Sequence, residues 1–242
     1  MSEKIKAIVI RSNDRKEKDK NILLFSLEKG KIWATLKGVK GEKAKMKLAQ
    51  NLFCFGDFVL EDGKSGKIVT GFDVIESFHE ISEDVDKYFE AMAVLEVVNA
   101  IEFASESEVA KMFVLTLKTL KSICFEYGRQ YYILDKFFIE LFKLSGFPLY
   151  TDKCSVCGTK SFERMFIDYS TGEIECMACK GFVSEEIPKA SYLALKILTN
   201  TDFDKLKSVK LADNSEYTLL KILVKNFENR FDKRLKLIGI LS

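Results

Sequence analysis

Four cysteines in two closely spaced pairs are the residues of this chain best suited to chemistry. Cys154 and Cys157 form the first pair, and Cys176 and Cys179 follow after an eighteen-residue spacer. Two residues between paired cysteines let both sulfur atoms bind one ion, and this spacer length is typical of four-cysteine zinc modules. The sequence therefore predicts a zinc ribbon with one zinc ion. Because four sulfur ligands complete a tetrahedral shell, the predicted zinc is structural.

Two disulfides, or four ordinary buried thiols, are the alternatives to a metal site. The chain begins Met-Ser-Glu-Lys-Ile-Lys without an apolar signal segment, which does not indicate an oxidising compartment. Disulfide pairing within the module would also leave Cys54 and Cys124 as extra thiols. We therefore favour zinc and expect a cytoplasmic protein. The longest apolar runs are interrupted by charges every few residues, so no membrane span is expected.

A basic segment, defined as residues 29–47, is the second stretch that could do chemistry. It contains seven lysines and a single acid, Glu42. The lysines are Lys29, Lys31, Lys37, Lys40, Lys43, Lys45 and Lys47. Gly38 and Gly41 interrupt the run, which predicts a loop able to follow a phosphate backbone. A solvated surface loop is the alternative, because most lysine runs are solvated. Trp33, Phe53 or Phe55 could stack on bases, although aromatics at strand period are more often core.

Five short strands must position this segment. The apolar pattern over 5–10, 21–27, 31–36, 53–60 and 67–74 is that of short strands, and turn residues separate these stretches. The turns at 28–31 and 61–66 predict two hairpins. Five strands in such a short length suit the oligonucleotide-binding (OB) barrel. The predicted fold is α+β and multidomain: an OB-fold barrel, then an all-helical domain carrying the inserted zinc ribbon.

Helices account for most of the remaining chain. Tyr88, Met92 and Leu95 share one side of a first helix; a capping box at 105–108 opens a second, which closes at Gly128, and a third spans 129–146. Pro148 and Pro188 bracket the cysteines, which marks the module as an insert between helices. Further helices are predicted at 190–199 and 216–234. The predicted domains are 1–80, 81–150 with 188–242, and the insert 151–187.

Residues suited to catalysis are scarce. The single histidine, His79, falls at a strand-to-helix junction and is interpreted as a surface residue. The sequence has no second histidine, no Gly-x-Ser-x-Gly elbow and no complete phosphate-binding loop. Residues 1–80 carry 16 basic against 12 acidic side chains, whereas residues 81–150 carry 7 against 11. This pattern favours a non-enzymatic protein that meets a polyanion through its amino-terminal part.

The order of barrel, helices, zinc insert and returning helix resembles the RecO family of bacterial DNA repair and recombination mediators. The resemblance covers nearly the whole chain. Its most specific motifs are Ala7-Ile-Val-Ile-Arg, Glu28-Lys-Gly-Lys-Ile with Leu36-Lys-Gly-Val-Lys, and Leu144-Ser-Gly-Phe-Pro leading into the first cysteine pair. It implies an OB-fold domain that binds single-stranded and double-stranded DNA and anneals strands. It also implies work with RecR to load RecA onto DNA coated by single-stranded DNA-binding protein.

Carried over by position, the family's basic residues fall on Arg11, Lys37 and Lys40, and the loop continues through Lys43, Lys45 and Lys47. The four cysteines match the family's zinc ligands. A docking groove for the acidic, apolar tail of single-stranded DNA-binding protein is implied on the helical domain, where Lys136 aligns with a basic residue. Near the end, Arg234-Leu-Lys-Leu-Ile-Gly replaces a more typical Lys-Ser-Arg segment. The alternative function is a zinc-ribbon adaptor or scaffold that binds nucleic acid, including RNA.

Overall fold

The computed structural model describes residues 2–15, 17–39, 46–125, 131–160 and 163–236. Its first half is built from five strands, and the bounds confirm the predicted strands to within a few residues. They are β1 (Ser2–Asp14), β2 (Lys20–Ser26), β3 (Gly30–Leu36), β4 (Phe55–Gly63) and β5 (Gly66–Glu76).

The five strands close into a barrel in the order β1-β2-β3-β5-β4. Both predicted hairpins are present, because β2 pairs antiparallel with β3 and β4 pairs antiparallel with β5. A parallel β3–β5 pairing and an antiparallel β1–β4 pairing complete the circuit. Alternate residues such as Val9, Leu24 and Phe58 fill the interior and are fully buried. The α+β architecture with an OB-type barrel is confirmed.

Buried apolar residues on both sides of residues 40–45 attach the basic segment to this core. Val39 follows the end of β3, and Ala49 lies in a short 3-10 helix at Lys47–Gln50; both side chains are buried within the barrel cluster. Apolar anchoring of this kind holds the flanking lysines at the barrel surface. Lys40, Lys43 and Lys45 lie outside the described residues.

Helices follow the barrel. They are α1 (His79–Glu83), α2 (Val85–Ala100), α3 (Glu106–Phe125), α4 (Tyr131–Leu144), α5 (Lys189–Thr199) and α6 (Ser215–Phe231). The Ser105 hydroxyl accepts from the Glu108 amide at 3.2 Å, as the predicted capping box requires. The Glu108 carboxylate bonds the Ala104 amide at 2.9 Å instead of the Ser105 amide. The predicted helix closure at Gly128 and start at Arg129 fall outside the described residues.

By internal contacts the chain divides into two compact units. The barrel unit comprises residues 1–91 and 101–124, and the helical unit comprises residues 92–100 and 125–242. The barrel unit thus includes α3, whose Phe113 ring packs 5.6 Å from Phe25 and 5.9 Å from Phe55. The predicted domain boundaries at residues 80, 150 and 187 stay a prediction, because compactness does not test independent folding.

In the helical unit, α4, α5 and α6 pack together and β6 (Met165–Asp168), β7 (Glu173–Cys176) and β8 (Ser184–Ile187) form a small sheet. Phe227 on α6 lies 5.8 Å from Phe138 on α4, so the last helix packs on a middle helix. Helix α6 ends before the predicted Arg234, because Asp232 is left-handed with φ 49°. No helix among the described residues is long and apolar enough to span a membrane.

Candidate metal centre and nucleic-acid interface

The four cysteines converge on one point of the helical unit. The hairpin of β6 and β7 pairs Met165 with Cys176, and it carries the second cysteine pair back towards the first. The ligand atoms of Cys154, Cys157, Cys176 and Cys179 all lie within 4.8 Å of one another. Sequence spacing predicted this cluster. The third strand, β8, pairs with β6 and was not predicted, because Ser184-Glu-Glu-Ile lacks a clear alternation.

The backbone around each cysteine pair forms a tight turn. The Gly158 amide donates to the Cys154 carbonyl at 3.0 Å, and Gly158 has φ +72°, which favours glycine. In the second turn the Cys179 and Lys180 amides both donate to the Cys176 carbonyl at 3.0 Å. The Cys176 amide also points at the Cys154 sulfur, 3.3 Å away. This last amide favours a thiolate at Cys154.

The donor set and its spacing fit a tetrahedral ion. Zinc–sulfur bonds of about 2.3 Å place tetrahedral sulfurs about 3.8 Å apart. The Cys157 and Cys176 sulfurs are 3.8 Å apart. Burial opposes ionisation of Cys154, but backbone N–H groups outweigh it and lower the pKa of this thiol to about 6. Hydrogen bonds to the Cys157 and Cys176 sulfurs raise the pKa of Cys179 to about 12. The four residues could therefore hold one metal ion, which would stabilise all four as thiolates.

Three predicted nucleic-acid contacts lie exposed on the barrel unit: Arg11 on β1, Lys37 after β3 and Lys47 in the 3-10 helix. None forms an ion pair with another residue in the described ranges. Their charges are thus available to a polyanion. Their role at nucleic acid stays a prediction, as do those of Lys40, Lys43 and Lys45.

Lys31 differs from the other predicted contacts. Its ammonium donates to the Ile101 carbonyl at 2.6 Å, lies 3.7 Å from the Glu102 carboxylate and sits 5.7 Å from the centre of the Phe103 ring. A phosphate would have to compete with these groups. The contacts give Lys31 a part in holding residues 101–103 on the barrel, and its nucleic-acid role stays a prediction.

The three aromatic residues that could stack on bases differ in exposure and in their neighbours. Phe53 is fully buried and meets the Tyr88 ring edge-on at 5.7 Å. Phe55 packs on Phe113. Trp33 is 43% exposed on the outer face of β3, beside a surface groove that sequence reasoning missed. The groove joins the β1–β2 connection at Arg15 to the β4–β5 turn at Ser65, and no sequence motif marks residues so far apart.

Lys136 is buried in the helical unit. It is 3% exposed, and its ammonium contacts the Glu140 carboxylate at 2.6 Å and the Leu198 carbonyl at 3.0 Å. Leu198 is near the end of α5, where helix carbonyls lack partners. Lys136 therefore joins α4 to the end of α5, and its role in a partner contact stays a prediction.

A different part of the helical unit is open and apolar. Leu193 and Ile197 on α5 are 48% and 41% exposed. They line a groove of about 440 Å³, together with Lys189 and Lys210.

The histidine predicted to lie at the surface does so: the His79 side chain is 64% exposed and lies 3.2 Å from the Glu80 carboxylate.

Comparison with known proteins gives the same result for both halves of the chain. Residues 1–78 match the family model described as Recombination protein O N terminal, and residues 82–237 match Recombination protein O C terminal. A DNA repair protein RecO from Clostridium novyi is 26% identical over 242 residues, which cover 99% of this chain and 93% of that protein. Proteins of the same name from Acetivibrio thermocellus and Clostridium perfringens are 26% and 27% identical, covering 95% and 97% of this chain and 92% and 96% of theirs.

Proposed function

The chain belongs to the RecO family, and from this membership we propose that it is a DNA repair and recombination mediator that catalyses no reaction itself. It binds single-stranded and double-stranded DNA and anneals complementary strands. Together with RecR it helps load RecA onto DNA coated by single-stranded DNA-binding protein, in the cytoplasm at the nucleoid. The relatives named DNA repair protein RecO support this role, as does the donor set of the metal site, which leaves no position for substrate.

The observation that carries the DNA-binding part is the set of exposed, unneutralised cations on the barrel. Arg11, Lys37 and Lys47 are exposed on a fold whose strand 2–3 face commonly binds oligonucleotides. Lysines are point charges on flexible stems, so they suit phosphate oxygens better than base edges. We expect binding with little sequence preference and with strong salt dependence, and we propose that Lys40, Lys43 and Lys45 also contact phosphates.

A salt series tests this proposal. Each phosphate neutralised on single strands contributes about −0.7 to the slope of log affinity against log salt concentration. Replacing Lys40, Lys43 and Lys45 with alanine should therefore flatten the slope by roughly 2 if all three engage. The matched control removes the exposed α3 lysines Lys111, Lys118 and Lys121, which changes the net charge equally. Equal slopes for wild type and both variants would show that the basic segment is only solvated.

One structural zinc ion at the four cysteines is the second part of the proposal. The family's zinc ligands correspond to these positions, and the sulfur spacing suits tetrahedral zinc. Metal analysis of the purified protein should give one zinc per chain. A Cys157→Ser variant should lose the ion, and a wild-type protein that bound iron instead would contradict the choice of zinc.

The third part concerns the acidic, apolar tail of single-stranded DNA-binding protein. We propose that it docks in the α5 groove, where Leu193 and Ile197 offer apolar surface and Lys189 and Lys210 offer positive charge. Replacing both lysines with glutamate should weaken a tail peptide and spare naked DNA. Lys136→Met removes the buried ammonium without adding an acid beside Glu140. If this variant stayed folded and lost the peptide while the double glutamate variant bound normally, the groove would be the wrong site.

A further inference from the structure

The outer face of β2 and β3 is covered at one end and open at the other. At the covered end Phe25 pairs with Lys31, and the Phe25 ring stacks on Phe103 at 5.4 Å. Farther along, a row of side chains crosses three strands: Arg11 on β1, Leu23 on β2 and Trp33 on β3. Trp33, 43% exposed, keeps much of its ring uncovered by the described residues.

The open end contains the groove beside Trp33, which has a volume of about 460 Å³. Asn13, Asn21 and Thr35 form the next row across the three strands, so two amides and a hydroxyl lie beside the indole. The Arg15 guanidinium donates to the Thr35 hydroxyl, and to the Ser65 hydroxyl at 3.1 Å. Arg15 thus connects the β1–β2 connection with the β4–β5 turn along one wall.

Two of the three charged side chains that line this groove form ion pairs within the protein, whereas the Arg15 guanidinium contacts only hydroxyl groups. Asp14 lies 3.6 Å from Lys20, and Lys67 contacts both Glu3 and Asp62 at 2.8 Å. An acid such as Asp14 would repel a phosphate. Apart from Arg15, the groove presents a flat aromatic face next to neutral hydrogen-bonding groups, which suits a flat, polar molecule.

We propose that this groove takes one unpaired nucleobase, which stacks on Trp33 and turns its polar edge to Asn13 and Asn21. The inference rests on the proposed function and assigns the part of the DNA strand that this groove receives. Phosphates contact the exposed cations, while the groove receives a base. Because a paired base is stacked inside its duplex, the groove favours single strands over double strands. Asparagine amides donate and accept, so several bases fit.

Titration with a thymidine homopolymer tests the pocket. Removing an aromatic platform typically weakens binding about 5- to 150-fold per stacked base. Trp33→Ala should show a loss in this range with an unchanged salt slope, and Trp33→Phe should recover most of the affinity. Phe182→Ala is the matched control, because Phe182 is a fully exposed aromatic in the helical unit. Asn21→Ala provides a second variant that leaves the indole in place.

A phosphate-only ligand separates stacking from charge. Trp33 is the only tryptophan, so its emission reports this groove alone. The homopolymer should change the emission of the wild type, whereas inorganic polyphosphate, which has no bases, should bind without that change. If the wild type failed to bind the homopolymer at any salt concentration, the proposed function itself would be wrong. If it bound normally and Trp33→Ala and Asn21→Ala bound equally well, or if Trp33→Ala weakened duplex binding as much, only the base pocket would be wrong.

Discussion

The five strands of the barrel pair around a complete circuit, whereas the three strands beside the cysteines have four residues each and form an open sheet, β7-β6-β8. The barrel encloses its own apolar cluster, from Ile5 to Val69. The small sheet has too few residues to enclose one, and small modules of this kind depend on a metal or disulfides. The difference fits the proposed division of tasks, in which Arg11, Lys37 and Lys47 on the barrel are available for a ligand and the cysteines serve the fold.

The largest expected effect follows from removing one sulfur. Structural zinc contributes about 10–16 kcal/mol of apparent binding energy in zinc-finger peptides. Cys157→Ser should therefore unfold residues 151–187, observed as metal loss and as proteolysis within this range. The barrel should keep its affinity for single-stranded DNA. Val156→Ser, in the same turn with an exposed side chain, should retain metal and resist proteolysis. Full DNA-binding loss in Cys157→Ser with an intact fold would contradict the division.

Two glycine variants, one in each region, should show stability losses of intermediate size. Gly38 and Gly172 both have positive φ, so alanine costs about 1–2 kcal/mol at either position. At Gly38 the new methyl group meets nothing within 4 Å, but at Gly172 it would collide with the Arg230 guanidinium. Because the obstacle is the end of a flexible side chain, the added cost should fall near the lower end of the roughly 1–3 kcal/mol that overpacking costs. Chemical denaturation should show the larger loss for Gly172→Ala; equal losses would mean that Arg230 moves aside freely.

The smallest effect is a difference in pH dependence. Hydrogen bonds from Lys29 and Lys67 lower the pKa of Glu3 from 4.5 to about 2. This group therefore stabilises the barrel at neutral pH, and its contribution is lost as the pH falls from 4.5 towards 2. Burial, assisted by the Glu216 carboxylate, raises the pKa of Asp135 above 3.8, so its effect has the opposite sign. Stability is lost as the pH rises from 3.8 through the folded-state pKa.

Thermal melting at a series of pH values separates the two acids. Glu3→Gln should lower the melting temperature at neutral pH and have little effect in acid. Asp135→Asn should raise it at neutral pH, with a gain that shrinks in acid, because the buried carboxyl no longer ionises. A pH-independent effect of Asp135→Asn would show that packing, not charge, sets the contribution of this side chain.

Local sequence patterns predicted the parts of the molecule that depend on neighbours in the chain. Short apolar stretches bounded by turn residues predicted all five barrel strands, and cysteine spacing predicted the metal cluster. The hydrogen bonds of Lys31 and Lys136 could not be predicted from local patterns, because their partners, Ile101 and Leu198, are 70 and 62 residues away. Strand β8 depends likewise on its pairing with β6. The Trp33 groove combines residues from β1, β2, β3 and the β4–β5 turn, which only barrel closure brings together.

Photo-crosslinking of a single-stranded DNA, followed by mapping of the modified peptides, tests the division of tasks most directly. The account predicts crosslinks in the barrel, concentrated at residues 11–15 and 31–37, which include Arg11, Trp33 and Lys37, and none within residues 151–187. Fully exposed Phe182 makes this a fair comparison, since an aromatic near bound DNA would react there too. Crosslinks concentrated at residues 151–187, with the barrel unmodified, would contradict the account and assign DNA binding to the cysteine module.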